Sequence, residues 1–247
     1  MRSHGLATSS TPKSDELDAT SHANTERSGR SYSYAPSHRV LEIVAMIAGT
    51  TMLLITLAAV VRVLPSSGAG KALLFVALGL CLADLISGLV HWAADTYGSE
   101  TMPVFGGFVR TFREHHVLPL KITQHDFVET NGDVFIFSSP VYFVLLLFVE
   151  DPFALSTIFG VFLGSYTNSQ IHKWAHLAKR PLWVTALQRT RLFLSADHHS
   201  LHHRGAHKTH YCITTGWMNS LLDSVRFFRA LEWLLLRVGI RRTNIAE

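Results

Sequence analysis

The sequence predicts an all-α integral membrane protein, with about four transmembrane helices beneath a cytosolic histidine-rich di-metal cap and interfacial helices beside it. Three observations lead there. Four apolar runs approach bilayer length, only 16% of the 247 residues are charged while 48% are hydrophobic, and His198, His199, His202, His203, His207 and His210 crowd into thirteen positions. Soluble domains carry more charge than this. The only cysteines are Cys81 and Cys212, which excludes a disulfide framework, a thiolate zinc module and an iron–sulfur cluster on ligand count. The formal net charge of +4 is modest, and its uneven placement carries topological information and gives no sign of nucleic-acid binding.

Residues 1–38 form a Ser/Thr-rich stretch of mixed charge with few large aliphatics, too poor in apolar surface to offset ordering entropy, so a disordered tail is expected. Residues 39–247 are expected to form the membrane domain. The run from Ile43 to Val61 holds no charge, and at about 1.5 Å per residue it nearly spans the ~30 Å hydrocarbon layer. A turn at Gly68 and Gly70 leads to a second helix over 72–94, interrupted by Asp84 and His91. Helices over 134–149 and 153–171 follow, joined by the Glu150-Asp151-Pro152 turn. The short connections hold only Arg62 and Lys71, and the remaining Lys and Arg lie in the tail, the 95–133 loop and the C-terminal third. The positive-inside rule makes that side, and both termini, cytosolic. The membrane is then a bacterial inner membrane or the endoplasmic reticulum. The apolar stretches 181–194 and 221–238 are too short or too basic on one face to span and are expected at the interface.

Histidine and carboxylate clusters gather at the cytosolic helix ends. Asp84, His91 and Asp95 stack on one face of the second helix. Two readings of Asp84 stay open: a functional intramembrane carboxylate, or a hydrogen-bonding partner of a neighbouring helix. His91 and Asp95 read as metal ligands. His115 and His116 are adjacent and point about 100° apart on a helix, so both serve one centre only when metals lie between helices. That suggests two metals. His125 reads as a second-tier ligand or a loop residue, and Asn131-Gly132 as a turn. His172 and His176 share a face at i, i+4; the residues between them lack the Glu that a zinc protease helix requires. The HisHis-x-x-HisHis run at 198–203 is expected to present several rings from one helix. Neutral imidazole is the commonest protein ligand of iron, zinc and copper. A zinc hydrolase, and a non-enzymatic metal or haem carrier or sensor, remain as alternatives on these patterns.

The segments HWAADTYGS, FREHHVLP, HDFVETNGD, QIHKWAH and DHHSLHHRGAHKTHYCITTGWMN together resemble the plasmanylethanolamine desaturase family, which forms the vinyl-ether bond of plasmalogens. The likeness covers about residues 72–235, and a related plant plastid branch desaturates phosphatidylglycerol acyl chains. It implies a non-haem di-iron enzyme using O₂ and an external electron donor, cytochrome b5-like or ferredoxin-like, on a membrane ether phospholipid. It assigns metal ligation to His91, Asp95, His115, His116, His172, His176, His199, His202 and His203, with no catalytic residue separate from the ligands. His198, where the plastid branch resembles a Gln, and His207 fall in a second tier beside His125 and Asp84; His210 has no counterpart. An acyl-chain desaturase or hydroxylase would use the same ligands. Such chemistry agrees with the histidine clusters, because removing hydrogen from an unactivated alkyl chain needs an oxidant that no side chain provides.

Overall fold

A computed structural model describes residues 35–204 and 206–243; the expected tail lies largely outside the described residues. No strand occurs among them. The helices run α1 (Pro36–Ser67), α2 (Ala69–Thr96), α3 (Gly106–Val117), α4 (Phe127–Phe148), α5 (Pro152–His176), α6 (Leu182–Arg189), α7 (Ala196–Ser200), α8 (Trp217–Ser224) and α9 (Phe227–Arg237), with a 3₁₀ turn at Lys121–Thr123.

Local chemistry sets the boundaries. Gly68, at φ +84°, separates α1 from α2. Asp126 caps α4 by accepting the amides of Val128 and Glu129 at 2.9 and 3.0 Å, and Asp151 caps α5 through the amides of Phe153 and Ala154 with Pro152 pre-set in the first turn. These caps satisfy amides that a helix start leaves without partners.

Three of these helices, Pro36–Arg62 within α1, α2 and α4, are long and apolar enough to cross a membrane. Their outward faces carry large exposed apolar side chains, among them Ile47, Ile55, Leu74 and Phe148, as a surface facing lipid tails would. α5 is 25 residues long, but its second half reads Ser165-Tyr166-Thr167-Asn168-Ser169-Gln170, and that polarity keeps it out of the same class.

α2 and α5 form the most extensive helix pair. Gly79 and Gly160 face each other where their backbones meet: a Cβ on Gly79 would strike the Thr157 carbonyl oxygen, and one on Gly160 the Val76 carbonyl oxygen. Ala83 and Gly164 continue the seam one turn along. Small residues spaced by four let apolar helices touch closely when no hydrophobic drive exists between them in lipid. α1 leans on the pair through α4, where Tyr142 donates its hydroxyl to Thr56 at 2.8 Å and rings of Phe135, Tyr142, Phe162 and Tyr166 stack at the centre.

Three expectations change. α4 begins at Phe127, so Asn131-Gly132 is helical and forms no turn; the Asn131 amide donates to the Phe127 carbonyl and to Gln170 of α5, and Gly132 lets Glu42 of α1 lie against the helix. Tertiary contacts outweigh the local turn preference. The 221–238 stretch is two helices broken at Arg226, whose φ is +54°. The histidine run keeps helical geometry only to Ser200 and continues as turns.

Replacing Gly160 by Val should force the α2–α5 backbones apart and cost on the order of 3 kcal/mol or more, the upper end of core overpacking. A large fall in apparent Tm of the detergent-purified protein is expected, with Gly70→Ala, which meets nothing within 4 Å, as the neutral control. An unchanged Tm for Gly160→Val would refute the close seam.

Candidate metal centre and its cavity

The histidine and aspartate side chains to which the family likeness assigns ligation fall into two groups, within each of which one donor atom per residue lies within 4.8 Å of all the others. One group is His91, Asp95, His116 and His202; the other is His115, His172, His176, His199 and His203. Helix geometry explains the sorting. His91 with Asp95, and His172 with His176, sit one turn apart and so share a face. His115 and His116 are neighbours in sequence, diverge across α3, and enter different groups. The same division separates His202 from His203 beyond α7.

Ring orientation is fixed from behind. His91 Nδ1 lies 3.0 Å from the Tyr211 carbonyl oxygen and His202 Nδ1 lies 2.7 Å from that of Thr209. A carbonyl can only accept, so both rings carry their proton on Nδ1 and aim an Nε2 lone pair inward. There the lone pairs converge. Asp95 Oδ2 is 3.3 Å from His91 Nε2, 3.7 Å from His116 Nε2 and 3.8 Å from His202 Nε2, and His116 and His202 Nε2 are 3.0 Å apart. In the second group, His172 to His199, His199 to His203 and His203 to His115 close at 2.8, 2.9 and 3.0 Å between Nε2 atoms. The His176 Nε2 is buried without a hydrogen-bond partner among the described residues.

Ligands held about 2.1 Å from a metal sit roughly 3.0–4.2 Å from one another, close to the 2.8–3.8 Å separations found here. Each group could hold a metal ion, and a nitrogen-rich set with one carboxylate is of the kind that zinc, copper, iron and nickel accept. The carbonyl-backed rings are the outer support that such a centre uses.

Burial and neighbouring imidazoles push the His116 ring down to about 3 and the His203 ring to about 4, and His115 further still. All three are therefore unprotonated and ligand-ready at neutral pH.

The second-tier residues lie outside both groups. His207 stacks its ring on His116 at 4.3 Å. His198 Nε2 meets the Asn219 amide at 3.2 Å, and His125 lies 3.7 Å from Glu129 on the cavity wall. His210 pairs with Asp223 at 3.0 Å. Asp84 holds the chain: its Oδ1 accepts the amides of Thr214, Thr215 and Gly216 at 3.1, 2.8 and 3.0 Å, and its Oδ2 that of Met218 at 3.0 Å. Ser87 takes the Ile213 amide and Asn219 brackets Cys212 through its amide and carbonyl. The residues just before this segment, Tyr211 and Thr209, supply the carbonyls behind His91 and His202. Ser87 and Asn219 are functional supports that spacing arguments miss, since neither has the chemistry of a ligand.

A cavity of about 460 Å³ opens beside the second group. His115 and His172 form part of its wall, Val141, Leu145, Val161 and Phe162 line an apolar stretch, and Lys121, Glu129, Thr130 and Asp133 line a polar one. Along α4, Asp133 to Leu145 spans about 18 Å.

The lipid desaturase domain family matches residues 80–243. The plasmanylethanolamine desaturase of Myxococcus xanthus is 42% identical over 209 residues, 82% of this chain and 73% of that protein. Plasmanylethanolamine desaturase 1 of Mus musculus is 43% identical over 175 residues, 66% of this chain and 64% of that protein. The chloroplastic fatty acid desaturase 4 of Arabidopsis thaliana is 34% identical over 180 residues, 68% of this chain and 53% of that protein. No solved structure matches the chain.

Asp84→Asn replaces one acceptor by a donor facing backbone amides. A loss of about 1–3 kcal/mol is expected as a lower apparent Tm, and an unchanged Tm would mean that Asp84 does not anchor the 214–218 segment. In chelator-treated protein, unfolded histidines titrate near 6.5 but folded His116 and His203 only near 3 and 4. The unfolded state binds more protons below about pH 6.5, so stability is full above that pH and declines as it falls toward 4. A Tm flat across that window would contradict the burial of these rings.

Proposed function

The chain belongs to the lipid desaturase domain family, and from that membership we propose that it is an integral membrane enzyme converting the sn-1 O-alkyl chain of plasmanylethanolamine to a cis vinyl ether. The observation that carries the reading is the cavity: an apolar trough of about 460 Å³ whose wall includes His115 and His172 and whose other end is polar. Higher identity to the two plasmanylethanolamine desaturases than to the plastid acyl-chain enzyme supports the ether substrate.

His91, Asp95, His116 and His202 would hold one iron, and His115, His172, His176, His199 and His203 the other. Two bound irons supply the O₂ chemistry by which two hydrogens leave the alkyl chain as water is formed, with two further electrons from an external donor, cytochrome b5-like or ferredoxin-like. The protein's part is placement. Val141, Leu145, Val161 and Phe162 bury the tail and exclude water, the polar stretch keeps the headgroup at the interface, and the His115–His172 wall sets C1 and C2 beside the metal groups. Tyr211 and Thr209, through their carbonyls, keep the inward nitrogens unprotonated.

We take α5 as a fourth crossing, parallel to α2 as the matched order of Gly79–Gly160 and Ala83–Gly164 along the two helices requires, which puts both termini and the centre on the cytosolic side, in agreement with the Lys/Arg distribution. The membrane is then a bacterial inner membrane or the endoplasmic reticulum.

A host lacking plasmalogens, fed a 1-O-alkyl glycerol, should release acid-labile aldehyde from its lipids when it expresses the intact chain and none when it expresses the His202→Ala, His203→Ala variant. Purified wild type should hold about two irons per chain and the variant fewer. Aldehyde absent from an iron-loaded, reductant-supplied host would reject the ether substrate and turn attention to new double bonds or hydroxyls in acyl chains.

A further inference from the structure

We propose that Asp133 and Glu129, backed by the buried Glu42, receive the primary ammonium of the substrate headgroup and so select ethanolamine phospholipids. The inference rests on the phospholipid substrate proposed for the enzyme and names the residues that choose among phospholipids.

Glu129 and Asp133 are one turn apart on α4, share a face, and both line the polar stretch of the cavity. Behind Asp133 lies Glu42 of α1, 1% exposed, admitted by the missing side chain of Gly132. Donor atoms of His38, Glu42 and Asp133 come within 4.8 Å of one another. His38 Nε2 is 3.0 Å from Asp133 Oδ1 and 3.5 Å from Glu42 Oε1. One imidazole, even when protonated, offsets one of two carboxylate charges. The Glu42 Oε2 is buried and has no hydrogen-bond partner among the described residues.

Nearby cations are committed elsewhere. Lys121 pairs with Glu114, Lys173 donates to the His125 carbonyl, and Arg39 pairs with Asp126 at 2.7 Å. Glu129 faces the His125 ring at 3.7 Å. An under-compensated carboxylate pair in a poorly hydrated corner is costly, and Asp133 connects that charge to the cavity. The group that would complete it is compact, cationic and rich in N–H donors. A primary ammonium has three such donors, a trimethylammonium has none, and an N-acylated headgroup has lost the positive charge and keeps only the phosphate's negative one.

The test is binding without turnover: metal-loaded, full-length protein in nanodiscs, kept anaerobic and without reductant, titrated with 1-O-alkyl-2-acyl-glycerophosphoethanolamine and with its N-acetyl and N-trimethyl counterparts. Wild type should prefer the ethanolamine lipid by about tenfold or more, the worth of a charge-assisted hydrogen bond. Asp133→Asn should abolish most of that preference and Glu129→Gln, at a more exposed position, part of it, with affinity for the N-acetyl lipid unchanged in both. A merely structural role would weaken all three lipids alike, and that result overturns the inference, as does full wild-type preference in both variants. Wild type that binds the three lipids equally overturns it while leaving the phospholipid substrate intact; wild type that binds none removes that substrate and the inference together.

Discussion

A single carboxylate within the second helix holds the functional end of this molecule in place. Asp84 takes four backbone amides from residues 214–218, an arrangement usually made by a helix cap but here made between segments 130 residues apart in sequence. It ties the C-terminal cap to α2 at a fixed height. From that anchor the chain runs back through Tyr211 and Thr209, whose carbonyls orient His91 and His202. The cost of a carboxylate at this depth is offset by four charge-assisted hydrogen bonds, and the gain is a rigid backing for rings on two unrelated elements.

The two donor groups are coupled by the same economy of elements. α3 and the turn after α7 each contribute adjacent histidines, one to each group. Any rotation of α3 that improved His115 for its group would worsen His116 for the other. Packing around α3 is correspondingly specific: Phe112 lies against the His91 ring at 5.0 Å, and Arg113 donates to the Gly98 carbonyl. The cavity reaches the second group and not the first in its lining, so the two positions are chemically unequal despite their similar donors.

Much of this was legible in sequence where a short-range rule applies. Long apolar runs announce α1, α2 and the later part of α4, and four-residue spacing pairs His91 with Asp95 and His172 with His176. The allocation of His115 against His116 depends on where α3 sits, which no local pattern encodes. Asn131-Gly132 reads as a turn because those residues favour one, and it is helical because Gln170 and Glu42 supply contacts that favour the helix more. The histidine run leaves helical geometry after Ser200 for a similar reason: His202 must reach a carbonyl that a continued helix would have placed elsewhere. Asp84 was ambiguous because its partners are backbone amides, which have no sequence signature.

The glycine seam between α2 and α5 bears on how the protein enters its membrane. With serines, threonine, asparagine and glutamine along its second half, α5 is a poor candidate for lateral release into lipid by itself. α2 is strongly apolar and precedes it in the chain. With α5 taken as the fourth crossing, biogenesis would have a natural order: α2 enters the bilayer first, and α5 is accepted against it as a backbone-to-backbone partner, the side that carries Ser165, Asn168 and Ser169 turned toward the cavity. A helix that is marginal to the insertion machinery can thereby line the reaction chamber, provided that its escort is already there.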